Sequence, residues 1–145
     1  MAAAIVALNT GTPVGVPQAE RVRTAAIEPS ELPSIIVYPS HDTNEAIGGD
    51  GGPLVRARFT MVVECRAAGT SSIRPDQAVD PLYVWVVKAL VNNRLPDGAG
   101  GFLNHFMNEG DTTFSYEEGD APYCLAATEM IAVYQHLVGD PESRV

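Results

Sequence analysis

From Val55 to Ala67 the chain alternates almost without fault: Val55, Ala57, Phe59, Met61, Val63, Cys65 and Ala67 fall on one parity, and Arg56, Arg58, Thr60, Glu64 and Arg66 fall on the other. A period of two over this length fits a half-buried strand and no helix, because successive strand side chains point to opposite faces. One face must meet a core and the other solvent, the pattern of an antiparallel sheet covered on one side. A second signal has the other period. Val79, Leu82, Tyr83, Val86 and Leu90 recur at helical spacing and predict one amphipathic helix, with Asp80-Pro81 read as its start and Asp76 after Pro75 as an alternative preceding turn. Its interior valines lower its intrinsic propensity, so packing on a sheet is expected to hold it.

The remaining elements are built around these two. Met1 to Leu8 reads as a short helix stopped by Asn9, Gly11 and Pro13, Arg21 to Ile27 as a strand limited by Pro29, and Ser34 to Tyr38 as a short strand closed by Pro39. Residues 40–53 are poor in apolar side chains and rich in glycine, and predict a flexible arm projecting as a long β-hairpin. Phe102 to Met107 is too short to assign, Thr112 to Glu117 predicts a strand, and Glu118-Gly119-Asp120 a turn. Tyr123 to Val138 predicts a long strand whose apolar residues change parity, which implies a bulge near Thr128-Glu129 or burial on both faces. Residues 139–145 are expected to fray. The fold class expected is α+β, a mixed, mostly antiparallel sheet packed against one or two helices, in one domain over residues 1–145.

Composition bounds the function. The chain carries 9 Lys+Arg against 18 Asp+Glu, a net charge of −9, with 46% hydrophobic and 19% charged residues. That excludes a disordered chain and disfavours a nucleic-acid binder, since the overall field repels phosphate. No apolar run approaches the ~20 residues of a bilayer span, and MAAAIVALNT has no basic region of the kind that opens a secretory signal. The expected compartment is the cytoplasm, with no membrane partner. Cys65 and Cys124 fit neither a disulfide framework nor a CxxC site and read as reduced, buried thiols.

No motif carries catalytic chemistry. GGDGG lacks phosphate-loop spacing, His41, His105 and His136 stand apart from one another, and Ser71, Ser72 and Ser115 have no adjacent base. The carboxylates Glu109, Asp111, Glu117, Glu118 and Asp120 read as a solvated acidic turn. No catalytic, cofactor-binding or metal-ligating residue is therefore assigned, and no cofactor is expected. Charge is what stands out: Arg56, Arg58 and Arg66 share one sheet face within an acidic protein, a pattern that fits equally a chain meeting copies of itself, positive face to negative, and an ordinary solvated sheet face.

Taken in order, ELPSIIVY at 31–38, the glycine-rich segment, RARFTMVVECRA at 56–67, DPLYVWVVKAL at 80–90 and TFSYEEGDAPYCLAATEMIAVYQ at 113–135 resemble the tail terminators of long-tailed phages, the group similar to minor tail protein U. The resemblance implies a mixed sheet flanked by helices and a homo-oligomeric ring, a hexamer. Such a ring sits on the last layer of the tail tube at the head-proximal end of the virion, stops tube growth and offers a surface to the head–tail connector proteins. DNA passes its lumen without specific binding, and assembly takes place in the host cytoplasm. The contact residues expected on this reading are Arg56, Arg58 and Arg66 against Glu117, Glu118 and Asp120 of a neighbour, with Asn44, Glu45 and Asp50 on an arm reaching the tube. A head-to-tail connector or stopper subunit is the alternative within virion proteins, and a small hydrolytic or ligand-binding domain the alternative outside them.

Overall fold

In a computed structural model of the chain, which describes residues 1–22, 27–47, 52–91, 93–96, 102–118 and 122–144, the long alternating segment is the middle of a mixed sheet. The elements are α1 (Ala2–Asn9), β1 (Ala19–Arg21), a single 3-10 turn (Pro29–Glu31), β2 (Ser34–Ile47), β3 (Leu54–Ala68), α2 (Pro75–Leu90), β4 (Phe106–Glu117), β5 (Tyr123–Leu137) and β6 (Asp140–Arg144). The strand order is β1-β2-β3-β5-β4, with β6 also paired to β5. Among the described residues the β1–β2 pairing alone is parallel. The fold is therefore α+β, a mixed and mostly antiparallel sheet with two helices.

β3 and β5 pair without a register shift from Leu54↔Leu137 to Ala68↔Tyr123. This places Met61, Val63, Cys65 and Ala67 on the same face as Cys124, Ala126 and Met130, where they form one core with Val79, Leu82, Val86 and Leu90 of α2 and with Ala4 and Leu8 of α1. The expected parity of β3 holds along its length. Trp85 ties the helices together, its indole N–H donating to the Leu8 carbonyl at 3.1 Å. Both helices thus cover the same face of the sheet.

Five expectations are corrected. Residues 40–47 are not a loose arm: β2 continues through them, paired from His41↔Thr60 to Ile47↔Leu54 after a register shift at Pro39/His41. Backbone hydrogen bonds carry that pairing, so the scarcity of apolar side chains did not prevent it. Residues 48–51, the glycine-rich centre of the expected arm, lie outside the described residues. Asp140–Arg144 does not fray, because Gly139 at φ 78° makes a tight turn that folds β6 back on β5. Of the two readings of β5, the bulge near Thr128-Glu129 is absent, because β5 pairs with β3 without a shift, whereas burial on both faces is found, Val133 being buried on the face opposite Ala126, Thr128 and Met130. The bulge lies in β4, between Glu109 and Thr112. At this bulge Gly110 passes so close that a Cβ would stand 2.9 Å from that of Glu129. β4 begins at Phe106, six residues before the expected strand, and absorbs part of the apolar segment that was too short to assign.

The fifth correction concerns α2, which starts at Pro75, where proline's missing N–H costs nothing, and the Gln77 side chain accepts the Arg74 backbone N–H at 3.3 Å. Pro81 is then inside the helix. At the N-terminal end β1 spans only Ala19–Arg21, and residues 23–26 of the longer strand expected there lie outside the described residues.

Because α2 is held by its buried stripe, truncating that stripe should be felt far more than truncating its outer face. Leu90→Ala, at a fully buried position, is expected to cost roughly 2–5 kcal/mol in urea unfolding. Val84→Ala, at 43% exposure, should stay within about 0.5 kcal/mol. Equal losses at both positions would contradict the one-sided packing.

Candidate functional site: the uncovered sheet face

With both helices on one side, among the described residues no helix packs on the opposite face. Arg56, Arg58, Glu64 and Arg66 of β3 stand there, beside Ile131, Val133 and Gln135 of β5 and Phe106 and Asn108 of β4. The register divides this face into two regions.

Near the β4–β5 turn its charges are paired within the face. Arg66 Nη2 lies 2.6 Å from Glu64 Oε2, and the Tyr38 hydroxyl donates to Glu64 Oε1 at 2.8 Å. Burial, reinforced by the hydrogen bond to Glu64 and its charge, pushes the Tyr38 hydroxyl up to about 12, while the Arg66 charge pulls the other way. Arg66 Nε is buried with no hydrogen-bond partner, so the guanidinium is held chiefly by this one carboxylate. Behind it, on the core side, burial and then the Glu64 charge push the Cys65 thiol up to about 12, and burial also raises Cys124. Both cysteines are free and buried, as the sequence implied.

At the opposite end the face is open. Arg56 and Arg58 are exposed. Arg56 reaches Glu45 only at 3.9 Å, both side chains well solvated, and Arg58 has no ion-pair partner among the described residues. A surface pair of this kind contributes little. The two guanidinium groups border a concavity of about 410 Å³ floored by Ile131, Val133 and Phe106 and rimmed by His105, Asn108 and Gln135. Its β4 wall is fixed from below: Asn104 Oδ1 accepts the Leu95 N–H at 2.7 Å, and the His105 N–H donates to the Val133 carbonyl at 2.7 Å, extending the β4–β5 pairing by one residue.

The acidic residues expected to complement the arginines sit at the far end of the sheet. Glu117 pairs with Tyr123, whereas Arg58 pairs with Val133, a separation along β5 of roughly 30 Å at strand rise. Glu117 and Glu118 are exposed, as are Phe114 at 55% and Tyr116 at 52% on the same strand. Phe114 packs edge-on to Tyr83 of α2, whose hydroxyl donates to Glu109. Asp120 and Asp50 lie outside the described residues. Asn44 and Glu45 are exposed positions of β2. The structure thus brings Arg56 and Arg58 together with Glu45, sets Arg66 apart from them in its own ion pair, and places Glu117 and Glu118 at the far end.

Sequence reasoning missed the floor of the concavity and the exposed aromatics. Alternation in Thr113–Glu118 already puts Phe114 and Tyr116 on one side of a strand, a readable signal. The floor was not readable, because Ile131 and Val133 join Phe106 only through the registers of β3 and β4 on β5. Among the described residues no group of three or more His, Cys, Asp or Glu is placed to hold a metal ion, and no helix is long and apolar enough to cross a membrane. No protein-family model matches the chain, and no curated protein matches it.

The raised tyrosine and thiol values have a measurable consequence. The folded state holds these protons more tightly than the unfolded chain, whose ordinary values are 10.0 and 9.0. Their contribution to stability is complete below about pH 9 and is lost as the pH rises toward 12. In an absorbance titration the last tyrosine should ionise near pH 12, and Tyr38→Phe should remove that step. At pH 8 a thiol reagent should label Cys65 and Cys124 only as fast as the protein opens. Prompt labelling of either would show an accessible thiolate instead.

Proposed function

We propose that this chain is a structural, ring-forming virion subunit that caps a phage tail tube, ends its polymerisation and offers a head-joining surface. The observation that carries the proposal is the separation of charge on one sheet: an exposed basic pair, held by one long contact from Arg56 to Glu45, at one end and an exposed acidic, aromatic strand end at the other. One subunit cannot bring these together, but a second copy can, head to tail, and head-to-tail contacts make closed rings when the rotation closes. The order of strands and helix along the chain, which resembles the tail terminators, supports the ring and its six-fold count. The acidic balance of the chain, −9 overall, suits a lumen through which DNA slides, because phosphate contacts would hold it back. Partners on this reading are further copies of the chain, the tail-tube protein and the head–tail connector proteins.

The test is solution mass by light scattering over a concentration and salt series, alone and with purified tail-tube protein. Below about 0.01 M salt the screening length is ~30 Å and like-charged subunits repel as wholes; at 0.1 M it is ~10 Å and only close pairs still act; at 1 M it is ~3 Å. The assembled fraction should therefore peak near 0.1 M, with a mass of about six subunits, alone or on tubes whose length it limits. A monomer at every salt that leaves tube growth unchanged defeats the proposal.

A further inference from the structure

We infer that the concavity between Arg56, Arg58 and Phe106 is a binding seat for the β4 end of a second copy of this chain, Tyr116-Glu117-Glu118 entering it as an acidic, aromatic knob. The inference rests on the ring reading and names the contact that closes it.

Three features of the concavity define its ligand. The paired guanidinium groups call for carboxylates, and a planar fork takes a carboxylate with two parallel hydrogen bonds. The floor of Ile131 and Val133, walled by Phe106, calls for an apolar or aromatic side chain beside those carboxylates. The side-chain amides of Asn108 and Gln135 offer donors and acceptors to a backbone or a tyrosine hydroxyl. A volume of about 410 Å³ lies in the range of roughly 300–1,000 Å³ that holds a bound ligand of a few side chains.

The chain carries a segment of this chemistry. Residues 113–118 are all exposed, and the strand tip carries Glu117 on the uncovered face, opposite Tyr123, with Tyr116, 52% exposed, on the other face opposite Cys124 and Glu118 following. Tyrosine and carboxylates thus flank the tip, and no ion pair occupies the carboxylates among the described residues. Knob and seat share one rigid β5 strand and stand roughly 30 Å apart at its rise per residue, so neither can fill the other within one subunit. Charge complementarity fixes the orientation, and the apolar floor adds what solvated charges alone do not supply. Arg66 is outside the seat, being already paired with Glu64.

The experiment has two arms. In the first, a labelled peptide of residues 113–118 with blocked ends is titrated into the full chain at about 0.1 M salt and followed by anisotropy. Saturable binding is expected, weakened about tenfold or more by Arg58→Glu. A peptide carrying lysine in place of both glutamates should then prefer the Arg58→Glu protein. In the second, light scattering follows Arg58→Glu, Glu117→Lys and the two combined, each checked for an unchanged circular dichroism spectrum. Each single reversal should reduce assembly, and the combination should recover it. Peptide binding that ignores Arg58, no peptide binding at all, or a ring that persists unchanged in Arg58→Glu overturns the seat while leaving the ring reading in place. A wild-type chain that never assembles, with or without tubes, overturns the ring reading itself, whatever the peptide does.

Discussion

Fifteen consecutive pairs between β3 and β5 hold this molecule in its shape. Their register decides which side chains face the helices and which face away, and a slip of one residue would exchange the two sets. Met61, Val63 and Cys65 would then leave the core and Val62, Glu64 and Arg66 would enter it, so the apolar stripe of α2 acts as the lock on the register. The pairing orders everything outside it as well: β2 adds to one side of β3, and β4 and β6 add to the free side of β5.

A sheet covered on one side leaves its other face to be explained. Near the β4–β5 turn Glu64 takes both the Tyr38 hydroxyl and the Arg66 guanidinium, leaving the buried Arg66 Nε without a hydrogen bond, and the tyrosine keeps its proton far into the alkaline range. At the other end nothing comparable exists among the described residues. Arg56 and Arg58 have solvent and one long contact to Glu45, and the apolar floor between β4 and β5 lies open beside them. The contrast is physical: the half-buried Arg66 has a carboxylate at 2.6 Å, and the exposed Arg56 has one only at 3.9 Å.

What the sequence showed follows from what side chains alone encode. The period of β3 and the stripe of α2 were legible because burial is written into residue type at fixed spacing. The continuation of β2 through His41–Ile47 was not, because it rests on backbone pairing with Arg56–Thr60, and Ser, His, Asp, Thr and Asn give that pairing no apolar signature. β6 was hidden for the same reason, with Gly139 the one local clue. The mixed parity of β5 left a bulge and two-sided burial open, and the burial of Val133 on one face and Met130 on the other answers to the second, while the bulge at Gly110-Asp111 of β4, across from Glu129, had no signature in side-chain type. For the candidate site, the basic and acidic residues were legible as types. Their separation to opposite ends, the commitment of Arg66 to Glu64 and the floor of Ile131 and Val133 all needed the register.

That separation bears on what kind of assembly the chain can form. A two-fold dimer would place each patch against its own counterpart, or both patches of one subunit against both of the other. The first opposes like charges, arginine to arginine at one end or glutamate to glutamate at the other. The second requires two contacts some 30 Å apart to be made at once by antiparallel sheets, so that the twist of each sheet must cancel along the whole interface. A head-to-tail contact needs neither condition. It uses each patch once, lets the sheet twist set the rotation from subunit to subunit, and so turns a property of the strands into the curvature of a ring. Open filaments are the hazard of any such contact. In an acidic chain they are restrained by the repulsion that grows with every copy added, and closure, which leaves no patch unpartnered, is the arrangement that ends the growth.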